Sequence, residues 1–87
     1  MDSEALVYQL LARALLDIRI ASTEGNAKAT YDLADLFHNV PYQISRIRAQ
    51  SGDYSEIIVY LEQRCQQKGL TSWLKTALGD IRSVGRS

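Results

Sequence analysis

From Asp2 to Ser22 the chain holds neither glycine nor proline and is rich in leucine and alanine, the residues that a helix accommodates at least cost. Twenty-one such residues in a row leave little room for any element but a long helix. At about 100° per residue, Val7, Leu10, Leu11, Ala14, Leu15, Ile18 and Ala21 fall on one broad apolar stripe, and Leu6, Leu16 and Ile20 form a second, narrower ridge. A helix that is apolar on more than one side needs neighbours on more than one side. It is therefore read either as the central helix of a bundle or as a helix that meets a second chain.

The rest of the chain is punctuated into further helices. Gly25 is placed to stop the first and Asn26 to cap the next, glycine because it tolerates left-handed backbone and asparagine because its side chain accepts from a free amide. Ala29, Thr30, Leu33, Leu36, Phe37 and Val40 share the inner face of that second segment, opposite Lys28, Asp32, Asp35 and Asn39. Pro41 cannot continue a helix but fits the first turn of a new one, burying Ile44 and Ile47. Ser51-Gly52 reads as a turn, with Asp53 and Glu56 at capping-box spacing. The following helix carries Tyr54, Ile57, Ile58, Leu61 and Cys65 inward and ends at Gly69; Thr71 or Ser72 caps a last one bearing Trp73, Leu74, Ala77, Leu78 and Ile81. No segment alternates with the period of two that a half-buried strand requires. The expected architecture is all-α, one domain spanning residues 1–87, with four or five helices at about 2–22, 27–39, 41–49, 54–68 and 72–82, and residues 83–87 frayed.

Composition narrows the function classes. Ten Lys and Arg balance ten Asp and Glu, which argues against a strongly basic nucleic-acid binder and against an acidic tail. The charges are nevertheless unevenly divided. Residues 1–40 carry six acids (Asp2, Glu4, Asp17, Glu24, Asp32, Asp35) and three bases (Arg13, Arg19, Lys28), whereas residues 61–87 carry five bases (Arg64, Lys68, Lys75, Arg82, Arg86) and two acids (Glu62, Asp80). Such a split suits complementary faces, within one chain or between two; a basic C-terminal third that meets nucleic acid is the competing reading, although the last helix offers only Lys75, Thr76 and Arg82 as base or phosphate contacts. The single cysteine excludes an internal disulfide and multi-cysteine metal sites, and it suits a reducing, cytoplasmic compartment. The early apolar run carries Arg13, Asp17 and Arg19 and follows Asp2 and Glu4, unlike an export signal or a membrane span.

Candidate chemistry concentrates at Asp32, Asp35, His38 and Asn39. Asp35 and His38 stand three residues apart on a helix, where a carboxylate can orient an imidazole as a general base or metal ligand. Against this, a metal site needs at least three protein ligands, the chain has one histidine, and Asp32 lies about 120° round the helix from His38. The simpler expectation packs the His38 ring beside Tyr31 and Ala34 with Asp35 solvated. Cys65 falls on the apolar stripe of its helix, where a thiol behaves as a small buried hydrophobe rather than a nucleophile. No P-loop, G-x-G-x-x-G, G-x-S-x-G or H-E-x-x-H occurs. An enzyme dependent on His38 or on a metal is the least favoured reading, and no cofactor is expected.

The segment Leu33-Ala-Asp-Leu-Phe-His-Asn-Val-Pro41, with the Ile18-Arg19 pair in a leading Leu-rich helix, resembles small uncharacterised bacterial helical proteins. The resemblance covers about the first half of the chain. It implies a bacterial origin and a helical fold, and it transfers no catalytic residue.

A chain of 87 residues buries only about 64% of its unfolded surface, which leaves little net stability. Self-association is one remedy. The favoured expectation is a non-enzymatic protein-interaction domain, homodimeric through Leu6, Leu16 and Ile20 of the first helix together with Tyr42, Arg46 and Tyr60, since aromatic and arginine side chains are enriched where interfaces are strongest. A toxin-neutralising partner protein is a further alternative.

Overall fold

Two glycines, one proline and one left-handed serine set where the chain reverses. The computed structural model describes residues 2–84, and five helices occupy most of them: α1 (Ser3–Thr23), α2 (Ala27–Phe37), α3 (Val40–Gln50), α4 (Ser55–Lys68) and α5 (Thr71–Val84). No strand is present among the described residues. The fold is an all-α bundle, and none of these helices is long and apolar enough to cross a membrane.

Capping explains most boundaries. Asp2 accepts a hydrogen bond from the Ala5 amide at 2.8 Å and starts α1, and Asn26 accepts from the Ala29 amide at 3.1 Å and starts α2. α1, α3 and α4 end alike. A residue with positive φ (Gly25, Ser51, Gly69) turns the chain, and the next amide donates back to a carbonyl of the last turn: Asn26 to Ala21, Gly52 to Ile47, Leu70 to Cys65, at 2.8, 2.9 and 2.8 Å. This wrapped ending satisfies carbonyls that a helix terminus would otherwise leave bare.

Ser51 is the non-glycine in this set, with φ 53°. The left-handed region crowds its Cβ, a cost that glycine avoids. Ser51→Gly is expected to raise stability by about 0.5–1 kcal/mol, seen as a higher urea midpoint at unchanged slope.

Several boundaries depart from the expectation, each for a local reason. α2 stops at Phe37 instead of residue 39, with His38 and Asn39 forming the turn; the His38 amide donates to the Asp35 carbonyl at 3.3 Å, a tightened last turn that ends the helix. Asp53 makes no capping box with Glu56; its carboxylate accepts from the Ser55 amide at 2.9 Å, and α4 begins at Ser55. Neither Thr71 nor Ser72 flanks α5 as a cap, since the helix already includes Thr71 and the Leu74 amide donates to the Leu70 carbonyl at 3.0 Å. Ser83 and Val84, expected to fray, are still helical; residues 85–87 lie outside the described residues.

α1 packs against α2, α4 and α5, and α4 also meets α2, α3 and α5. One core cluster runs through all five helices, from Val7, Leu10 and Ala14 through Leu36, Phe37, Val40, Ile44 and Ile47 to Ile57, Leu61, Cys65, Leu74, Ala77 and Ile81. Leu11, Tyr54, Ile58, Trp73 and Leu78 close its margin. Leu15, read as part of the buried stripe of α1, is instead 60% exposed. Neighbours cover three sides of α1, and Leu15 faces away from them.

Candidate functional site

The uncovered side of α1 is the first candidate. On it Leu15, Leu16 and Ile20 are 60%, 52% and 45% exposed, and Tyr8, Ala12 and Arg19 are exposed with them. At about 100° per residue these six span roughly 140° of the helix circumference. The sector has no core contact to satisfy it. Its C-terminal half is not flat: Leu16, Arg19, Ile20, Thr23 and Glu24 line a shallow groove of about 230 Å³.

The other residues expected at an interface divide between core and surface. Leu6 and Tyr60 are half-buried and pack against the core cluster of their own chain. Tyr42 is 71% exposed on α3, and Arg46 is exposed one turn further along it. α3 contains no acidic residue, so the outer surface around Tyr42, Ser45 and Arg46 is polar to basic.

The polar cluster of α2 is distributed otherwise than its spacing suggests. Asp32 turns to Lys28, 2.6 Å away on the same helix. Asp35 does not hold His38; its side chain keeps 37% of its surface open to water while it pairs across the bundle with Lys68 of α4, with Arg64 at 3.8 Å from the same oxygen. The Lys68 hydrogen bond, foremost, lowers the Asp35 carboxyl below its ordinary range. The stabilisation from this pairing is present near neutral pH and fades as pH falls through that lowered value. His38 is exposed, lines a small depression with Tyr31, Ala34 and Asp35, and has no side-chain hydrogen bond to Asp35. Asn39 is exposed and does not cap α3 with its side chain. Among the described residues, no three His, Cys, Asp or Glu side chains lie together as metal ligands would. Cys65 is fully buried, and desolvation, more than nearby Glu62, pushes its thiol up to about 11.

A second polar constellation escapes sequence reasoning almost entirely. One oxygen of Asp17 (Oδ2) accepts from Arg13 Nε at 2.9 Å and from the indole N–H of Trp73 at 2.8 Å. Arg13 reaches on through Nη1 to Asp80 at 2.8 Å, and Asp80 and Asp17 together hold the guanidinium charged by raising its pKa. Trp73 also meets Phe37 edge to face, with ring centroids 5.7 Å apart at 79°. The chain from Phe37 through Trp73, Asp17 and Arg13 to Asp80 ties α2, α1 and α5 together. Its groups are engaged with one another, as befits a structural clasp.

Two of the five bases in the C-terminal third, Arg64 and Lys68, are spent on Asp35, so the uneven charge of the sequence is partly neutralised inside the chain. Comparisons with family models, curated proteins and solved structures find no match for this chain.

Proposed function

We propose that this chain is a non-enzymatic protein-interaction domain that self-associates through the outer face of α1. The observation that carries the reading is the row Leu15, Leu16 and Ile20, each about half exposed on a helix whose remaining sides are covered by three others. Single exposed leucines are ordinary, whereas an aliphatic row on one helix marks a surface that gains by being covered. The polar groups that could have argued for chemistry, Asp35 and Asp17, are held by cations and by an indole.

The double variant Leu16→Glu, Ile20→Glu separates association from folding. Both side chains face solvent in the single chain, and glutamate is a good helix former, so the helical circular dichroism of the dilute protein should be unchanged. Two carboxylates buried at a shared interface cost several kcal/mol. The expected result is a dimer of the native chain by light scattering and a dissociation constant at least about 100-fold weaker for the variant. A native chain that stays monomeric up to about 500 µM, where even a weak interface of low area assembles, overturns the proposal.

A further inference from the structure

We infer that the second copy lies antiparallel across α1, with the two-fold axis passing beside Ala12; this rests on the self-association proposed above and specifies its geometry.

The exposed sector of α1 is asymmetric along its length. Ala12 sits in the middle, with Tyr8 one turn before it and Leu16 one turn after it. Tyr8 projects from the N-terminal half, 39% exposed, while the C-terminal half carries the groove between Leu16, Arg19 and Ile20. A two-fold pairing is reciprocal: where one residue of the first copy meets another of the second, the same two meet again with the copies exchanged. About Ala12, an antiparallel partner brings its Tyr8 to the level of Leu16, on the side of Leu15 and Arg19 at the edge of that groove, and receives the first chain's Tyr8 likewise. Alanine at the crossing lets the two backbones approach closely, because it adds only a methyl group between them.

Charge selects the same orientation. Glu4 lies eight residues before Ala12 and Arg19 seven after it, both exposed, and the ion pairs among the described residues involve neither. Antiparallel packing brings each Arg19 within about one residue rise, 1.5 Å, of the partner's Glu4 level, a reach that both long side chains cover. Parallel packing would set Arg19 against Arg19 and Glu4 against Glu4, and would align the two helix dipoles unfavourably. Arg19 also falls beside the partner's Tyr8 ring, where a guanidinium is attracted to the aromatic face.

The interface is small. A helix of 21 residues presents a face roughly 30 Å long and 10 Å wide, about 600 Å² over both copies and below the roughly 1,200–2,000 Å² of stable complexes, so a weak, transient dimer is expected, populated at concentrations on the order of 100 µM.

Cysteine cross-linking of the full chain reads the arrangement directly. Ala12→Cys places two thiols at the axis, and with oxidised glutathione as electron acceptor they should form an intermolecular disulfide, which requires Cα atoms within about 7 Å. Thr23→Cys, exposed at the far end of the same face, should not, because antiparallel packing separates the two positions by roughly 33 Å. Cys65 stays silent in its buried site. Sedimentation equilibrium gives the second readout. Glu4→Lys and Arg19→Glu should each weaken the dimer about 3- to 10-fold, and the double reversal should return it to within about 2-fold of native. A native dimer in which Thr23→Cys cross-links and Ala12→Cys does not, or in which the double reversal is as weak as the sum of the singles, overturns the antiparallel arrangement and leaves self-association standing. A monomeric native chain removes both.

Discussion

Leu10→Ala is expected to lower the unfolding free energy by about 2–5 kcal/mol, the range for a leucine truncated in a packed core that cannot collapse around the loss. Leu10 has no exposed surface and sits in the cluster where α1 meets the other helices. A chain of 87 residues has a total of about 4–13 kcal/mol to lose, so the variant approaches the edge of folding. At about 4–8 °C per kcal/mol for a chain of this size, its melting temperature should fall by roughly 8–40 °C. Leu15→Ala is the control. The chemistry, helix and neighbourhood are shared, yet Leu15 is 60% exposed, and the expected change in the dilute protein is within about 0.5 kcal/mol. Urea unfolding followed by circular dichroism compares the two. Equal losses would mean that α1 is rotated from the orientation described.

The Asp17 clasp gives the second large effect. Asp17→Ala strands the Trp73 indole N–H, which is half-buried, and leaves Arg13 with Asp80 alone. An orphaned donor costs about 1–3 kcal/mol; the ion pair adds little, since Arg13 and Asp17 are each one-fifth to one-quarter exposed and water screens them. The expected loss is about 2 kcal/mol for alanine and about 1 kcal/mol for Asp17→Asn, which keeps an acceptor for the indole. In the double variant Asp17→Ala, Trp73→Phe the losses should fall short of their sum, because both remove the same bond. Trp73 is the only tryptophan, so its emission in Asp17→Ala reports the broken contact independently of stability.

How far these features are legible in the sequence depends on how far apart in the chain their causes lie. Gly25, Pro41, Ser51-Gly52 and Gly69 act within a few residues of themselves, and all five helices can be located from them to within about two residues. That Ser51, and not Gly52, takes the positive φ is not legible, since serine gives no notice of it. Rotation of α1 is harder. Leucine, isoleucine and alanine occur most of the way round it, so the spacing that puts Ala14 inside cannot put Leu15 outside; the placement of α2, α4 and α5 decides that. Arg13 and Asp17 are a readable pair four apart, but their partners Asp80 and Trp73 lie 67 and 56 residues away. Asp35 shows the same limit. Its neighbour His38 is close in sequence, and Lys68, 33 residues on, wins because α4 packs over α2 and carries a flexible cation to the carboxylate. The acidic start and basic end of the chain foreshadowed such pairing without naming its members.

That the first helix is clasped by the last has a consequence for the chain as it leaves the ribosome. Asp17 precedes Trp73 by 56 residues, which at about 5–20 residues per second is a wait of roughly 3–11 s. During it the hairpin of α1 and α2 can close, but the side of α1 destined for α4 and α5 has nothing to cover it. Val7, Leu10 and Ala14 then lack the cover that α4 and α5 give them in the finished fold, while Leu15 and Leu16 are open as well. Neighbouring ribosomes on one message hold several such helices at once. The order in which the helices are made, rather than the finished fold, sets the interval in which this chain is most exposed to mispairing and to capture by chaperones.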